Sequence, residues 1–157
     1  CLYNSLLYIN RNNAETKRYQ EEGLKLLSGK VDSLPSKIAF RPKFIEQSSC
    51  IKVFDKLYLF ISKANIKKPV EERFDALFHE IGHWLHFQNI PPLKECREVW
   101  KNANLEKIKE DVSEYAVKKD DGREFVAEVF KGLVKGKKYD EYIMNLYKRL
   151  HGPIPHD

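Results

Sequence analysis

The sequence predicts an α+β fold, with a small sheet near the N-terminal end, an apolar-striped helix after it and a helical C-terminal half. Three observations carry that expectation. Short runs rich in β-branched and aromatic residues lie between positions 37 and 61 and are bounded by Pro, Asp and Ser. From Val70 onward the apolar residues recur at helical spacing. With 157 residues, 42% of them hydrophobic, the chain is long enough for one core that buries roughly two thirds of the unfolded surface. We therefore expect one domain over 1–157: a helical strap at 1–35, the sheet and its following helix at 36–88, and the helical half at 89–157.

The elements follow in order. Leu2–Ile9 is apolar and reads as a short helix or strap. Ala14–Leu27 reads as a helix, stopped at Ser28-Gly29. Lys37–Arg41 is a short strand between Pro35 and Pro42, and Ile51–Phe54 and Leu57–Ile61 flank Asp55-Lys56 as a hairpin would. Asn65–Pro69 is a loop whose proline suits a first helical turn. Helices are expected at Val70–Gln88, Leu93–Asn102, Leu105–Lys118, Arg123–Val134 and Tyr139–Leu150. Pro91-Pro92 and Asp120-Asp121-Gly122 provide the breaks.

Composition narrows the function classes. No apolar run reaches 18 residues, so no membrane span is expected. Cys1, Cys50 and Cys96 are far apart and odd in number, which suggests neither a thiolate metal site nor a disulfide framework. The net charge of +5 permits a nucleic-acid partner, but the basic residues are interleaved with acids and form no stripe. Nucleic acid is therefore not the expected partner. Because the sequence opens on Cys1 with no leader pattern ahead of it, the chain is expected to be a piece of a longer protein.

The chemistry concentrates in His79-Glu80-Ile81-Gly82-His83. At about 100° per residue, Phe74, Leu77, Phe78, Ile81 and Leu85 fall on one apolar stripe. His79 and His83 fall nearly opposite it, with Glu80 beside them. Two neutral imidazoles one turn apart can converge on one zinc ion (Zn2+), and the flanking glutamate can reach a water at that ion as a general base. His86 lies about 10 Å along the axis from His79, too far to share the ion, and reads as a rim or structural residue. The metzincin extension is absent, since position 86 is not Gly and the third-histidine position is Asn89.

A third ligand must then come from elsewhere. In Arg123–Phe130 the residues Phe125, Val126, Val129 and Phe130 make an apolar side, and Glu124 and Glu128 share the other. Glu124 is the candidate third zinc ligand, and Glu128 the acceptor for the free ring N–H of a ligating histidine. Tyr115, a short loop ahead of that helix, is a candidate oxyanion donor among eight tyrosines.

With these motifs in place, the chain resembles the gluzincin peptidases, and more narrowly the anthrax-lethal-factor-like (ATLF) catalytic domains. The carrying features are the His79–His83 motif, Ser113-Glu114-Tyr115-Ala116, and Glu124-Phe125-Val126-Ala127-Glu128-Val129-Phe130, within about residues 50–150. The connection Lys118–Gly122 is a little longer than is usual in that family. The resemblance implies a zincin-like metallopeptidase domain, with His79, His83 and Glu124 as zinc ligands, Glu80 as base, Tyr115 as oxyanion donor and Glu128 behind a histidine. It also implies that the hairpin around Leu57–Ile61 supplies an edge strand to which an extended peptide substrate adds. Such domains occur in secreted toxins and in bacteriophage or mobile-element proteins rather than among cytoplasmic housekeeping enzymes. A zinc metalloendopeptidase is the leading expectation; a non-catalytic metal-binding or assembly module is the alternative.

Overall fold

A computed structural model of the chain describes residues 13–157. The strap expected over Leu2–Ile9 lies outside the described residues. The order of elements is the expected one, a small mixed sheet followed by a largely helical half.

Helix α1 spans Ala14–Leu27. It starts at a reciprocal cap: the Asn13 side chain accepts from the Thr16 N–H (2.8 Å) and the Thr16 hydroxyl accepts from the Asn13 N–H (3.0 Å). Tyr19 fastens it to the body of the fold. Its ring packs 4.8 Å from that of Phe74, and its hydroxyl donates to the Arg73 carbonyl at 2.7 Å.

The sheet has three strands among the described residues: β1 (Ala39–Arg41), β2 (Ser49–Val53) and β3 (Lys56–Ser62). Its order is β1-β3-β2, with β1 parallel and β2 antiparallel to β3. One expectation is corrected here. The turn is Phe54-Asp55, not Asp55-Lys56, because Lys56 pairs with Val53. Phe54 supplies the positive φ (54°) that a two-residue hairpin turn demands, in place of the usual Gly or Asn, and the residue is 94% exposed. β3 is the central strand, so among the described residues the hairpin's outer strand is β2. The parallel pairing of β1 onto Phe60–Ser62 is a non-local contact, which no alternation within the segment reports.

A single-turn 3₁₀ helix, Lys63–Lys67, leads to α2 (Asp75–Phe87). The predicted helix from Val70 begins five residues late. The Glu72 N–H bonds the Pro69 carbonyl and the Asp75 N–H bonds Glu72, so the chain first makes i→i+3 turns that set Phe74 between Tyr19 and Phe78. Helices α3 (Leu93–Lys101), α4 (Leu105–Asp111), α5 (Arg123–Val134) and α6 (Glu141–Arg149) complete the fold. The helix expected over Leu105–Lys118 ends at Asp111. Val112 and Ser113 both bond back to the Ile108 carbonyl (2.9 and 3.2 Å), closing α4 before a 3₁₀ turn at Tyr115–Val117. No helix among the described residues is long and apolar enough to cross a membrane.

Helix α5 lies directly against α2, and Gly82 is where the two meet. A Cβ added there would stand 3.2 Å from the Ala127 Cα and 3.2–3.3 Å from Phe130 atoms. Because the nearest neighbour is backbone, it cannot swing aside. Gly82→Val is expected to destabilise the fold by about 2 kcal/mol, as overpacking exceeds the helix propensity gained over Gly. Thermal unfolding of the variant checks this; an unchanged Tm would show that the helices separate at no cost.

Candidate metal centre

The α2–α5 packing decides what the two histidines face. The sequence placed them on the side of α2 away from the apolar stripe, and that side is covered: Glu80 and His83 are 5% and 6% exposed. Covering it are Glu124 and Glu128, one turn apart on α5 and themselves buried. The site is thus a polar layer between two helices that also meet at Gly82, Ala127 and Phe130.

Within it, His79 and His83 stand with ring centroids 4.8 Å apart, edge to face. One oxygen of Glu124, Oε1, is 3.6 Å from His79 Nε2 and in direct contact with His83 Nε2. His79 turns its other nitrogen away: Nδ1 lies 2.8 Å from Glu128 Oε2. Glu128 holds a proton on Nδ1, so Nε2 is the nitrogen turned toward His83 and Glu124, the one that would lose its proton to ligate a metal ion. His83 is oriented differently, by stacking on Phe87 one turn along (centroids 5.6 Å), and its buried Nδ1 has no hydrogen-bond partner among the described residues. His79, Glu80 and His83 offer ligand atoms that all lie within 4.8 Å of one another, a cluster that can hold a metal ion.

The electrostatics follow from burial and crowding. Burial alone would raise Glu124, but hydrogen bonds with His79 and His83 outweigh it and hold its carboxyl well below the usual range. Glu128 behaves alike through His79 and Lys131, whose ammonium is 3.0 Å from Oε2. Burial lowers His79, yet its bonds to Glu124 and Glu128 lift it to about 9. Glu80 moves the other way: burial pushes its carboxyl up, against the pull of His79 and His83. A carboxyl raised toward neutrality beside a cluster of ligands is suited to taking and returning a proton.

Tyr115 borders this layer. Its ring meets that of His79 edge-on at 5.4 Å, and the residue is 49% exposed, so it lies at the border of the buried layer. Partial burial and the neighbouring carboxylates, Glu124 foremost, raise its pKa to about 12, so it is a hydrogen-bond donor at neutral pH. On the sheet side, Arg41 is buried over the Phe60 ring and donates to the Gln47 carbonyl and the Ser49 hydroxyl, each at 2.7 Å. It thereby pins the start of β2 beside the site.

All six predicted residues therefore come together: His79, Glu80, His83, Glu124, Glu128 and Tyr115. His86 stays apart, as expected. It is fully buried, and its Nε2 donates to the Leu150 carbonyl at 2.7 Å, tying α2 to the end of α6. Burial lowers its pKa from 6.5 to about 4. Because the folded value lies below the unfolded one, the neutral ring stabilises the fold above about pH 6.5, and that stabilisation is lost as the pH falls toward 4. The loss amounts to about 3 kcal/mol. Denaturant titrations in chelator should show wild-type stability falling more steeply over this window than that of His86→Leu; equal slopes would show that His86 is not the titrating group. The thiols of Cys50 and Cys96 are both free.

Sequence reasoning missed Phe87, Ser113 and Arg41. Phe87 was accessible as the i+4 neighbour of His83. Ser113 lay inside a quoted motif without a role, and Arg41 carries no local signal.

The fold and the site together define an α+β chain carrying a His-Glu-x-x-His cluster competent to hold a metal ion. Comparison with protein-family models, curated proteins and solved structures returns no match.

Proposed function

We propose that the chain is a zinc-dependent metalloendopeptidase of gluzincin type, resembling the ATLF catalytic domains, and part of a larger secreted or phage-type protein. The observation that carries this is the meeting of His79 Nε2, His83 Nε2 and Glu124 Oε1 at one point, with Glu80 buried beside them. Two imidazoles and one carboxylate are a donor set of catalytic zinc sites, which leave a fourth position open. The set fits such an ion: Glu124 is held ionised, and Glu128 fixes the His79 Nδ1, which leaves Nε2 as the nitrogen turned to the site.

In this reading His79, His83 and Glu124 hold the zinc, and Glu128 fixes the His79 ring. Zinc bound there supplies Lewis acidity, polarising a peptide carbonyl and easing deprotonation of water. Glu80 takes the proton from the attacking water and passes it to the leaving amine. Tyr115, at the border of the layer, donates to the oxygen on which negative charge develops. Peptide substrate adds along β2, the outer strand of the Leu57–Ile61 hairpin among the described residues.

A degenerate peptide library incubated with the zinc-loaded chain tests the proposal. Cleavage within peptides, abolished by a chelator and restored by zinc, is expected. Stoichiometric zinc with no cleavage of any peptide would favour the non-catalytic metal-binding module instead.

A further inference from the structure

Ser113 sits between two parts of the site that the reading above treats separately. Its hydroxyl donates to Glu128 Oε1 at 2.8 Å and accepts from the Ala116 N–H at 3.2 Å. Its own N–H is anchored on the Ile108 carbonyl at the end of α4. One hydroxyl thus joins the carboxylate that orients His79 to the 3₁₀ turn that carries Tyr115.

The bonds around Glu128 show why this link matters. Oε2 receives both His79 Nδ1 (2.8 Å) and Lys131 Nζ (3.0 Å), so two donors share one oxygen and each pulls on its direction. Lys131 is on a flexible four-carbon stem on the same helix. Ser113 holds the opposite oxygen from a fixed backbone position and opposes rotation of the carboxylate toward the lysine. A carboxylate so held keeps its second oxygen aimed at the imidazole. The same hydroxyl fastens the turn whose Tyr115 ring lies 5.4 Å from His79.

We propose that Ser113 is a positioning residue of the metal centre: it aims Glu128 at His79 and locks the Tyr115 turn to the same carboxylate. The inference rests on the zinc reading above. It gives Ser113 no contact with the metal, so its effect must pass through Glu128.

A double-mutant cycle on zinc affinity, read by competition with a chromophoric chelator, tests it. Ser113→Ala is expected to raise the zinc Kd about 10-fold, and Ser113→Thr, which keeps the hydroxyl, to restore it. In a Glu128→Ala background Ser113→Ala should have no further effect. Should Glu128→Ala not fold, Glu128→Leu, closer in volume, takes its place. Hydrogen exchange at the Ala116 amide should quicken about 10-fold in Ser113→Ala and not in Ser113→Thr. Wild-type affinity in Ser113→Ala, or an equal loss in both backgrounds, would overturn the proposal. A wild-type chain that binds no zinc would instead overturn the metal centre itself, and this inference with it.

Discussion

Glu80→Gln is expected to lower kcat/KM for peptide cleavage about 10³-fold while leaving zinc affinity within about 3-fold of wild type. The separation follows from where Glu80 stands. It flanks the two imidazoles, while the oxygen closest to their Nε2 atoms belongs to Glu124. Gln keeps the volume and much of the hydrogen bonding of Glu in this buried position, but it has no proton affinity near neutrality. General-base catalysis contributes about 10²–10⁴ in rate. The expected factor of about 10³ is the middle of that range. Kinetics on a peptide taken from the library, with zinc affinity measured in parallel, decide the matter. A variant that loses zinc along with activity would make Glu80 a ligand, and one that keeps full activity would remove it from the reaction.

The second large effect is expected at Glu124. Glu124→Ala should weaken zinc binding more than 100-fold, because altering a group that merely orients a ligand already costs about 10–100-fold. Glu128→Ala should fall within that smaller range, since its carboxylate meets His79 at Nδ1, on the side of the ring away from the site. The order of the two losses is the informative result. Equal losses would mean that Glu124 does not hold the ion, and a larger loss at Glu128 would exchange their roles.

These residues differ in how far the sequence alone disclosed them. The histidine pair and the glutamate pair are each one turn apart, and helical period is a local property that spacing reports directly. That period also gave the apolar sides of α2 and α5. It could not say that the polar sides of the two helices would be pressed together, because that depends on Gly82 admitting the Ala127 backbone. In the structure the histidine face is a buried layer, which is why its carboxylates and imidazoles perturb one another so strongly.

The sheet shows the same division. The hairpin was legible from its alternating runs and polar interruption, although the turn slipped by one residue because Phe54 occupies a position usually given to Gly or Asn. The strand order was not legible, since β1 passes over β2 in sequence to pair with β3. The early end of α4 at Asp111 likewise depends on bonds to the Ile108 carbonyl and on the Ser113 hydroxyl, which compete with continuing the helix. That break frees Tyr115 to stand beside His79.

The central claim is that one zinc ion is held by two imidazoles and a carboxylate. X-ray absorption at the zinc edge of the loaded chain measures this directly. The account predicts only nitrogen and oxygen neighbours at about 2.0–2.1 Å, with the multiple-scattering pattern of two imidazoles. Sulfur at about 2.3 Å, as Cys50 would contribute, or the signature of a single imidazole, would contradict it.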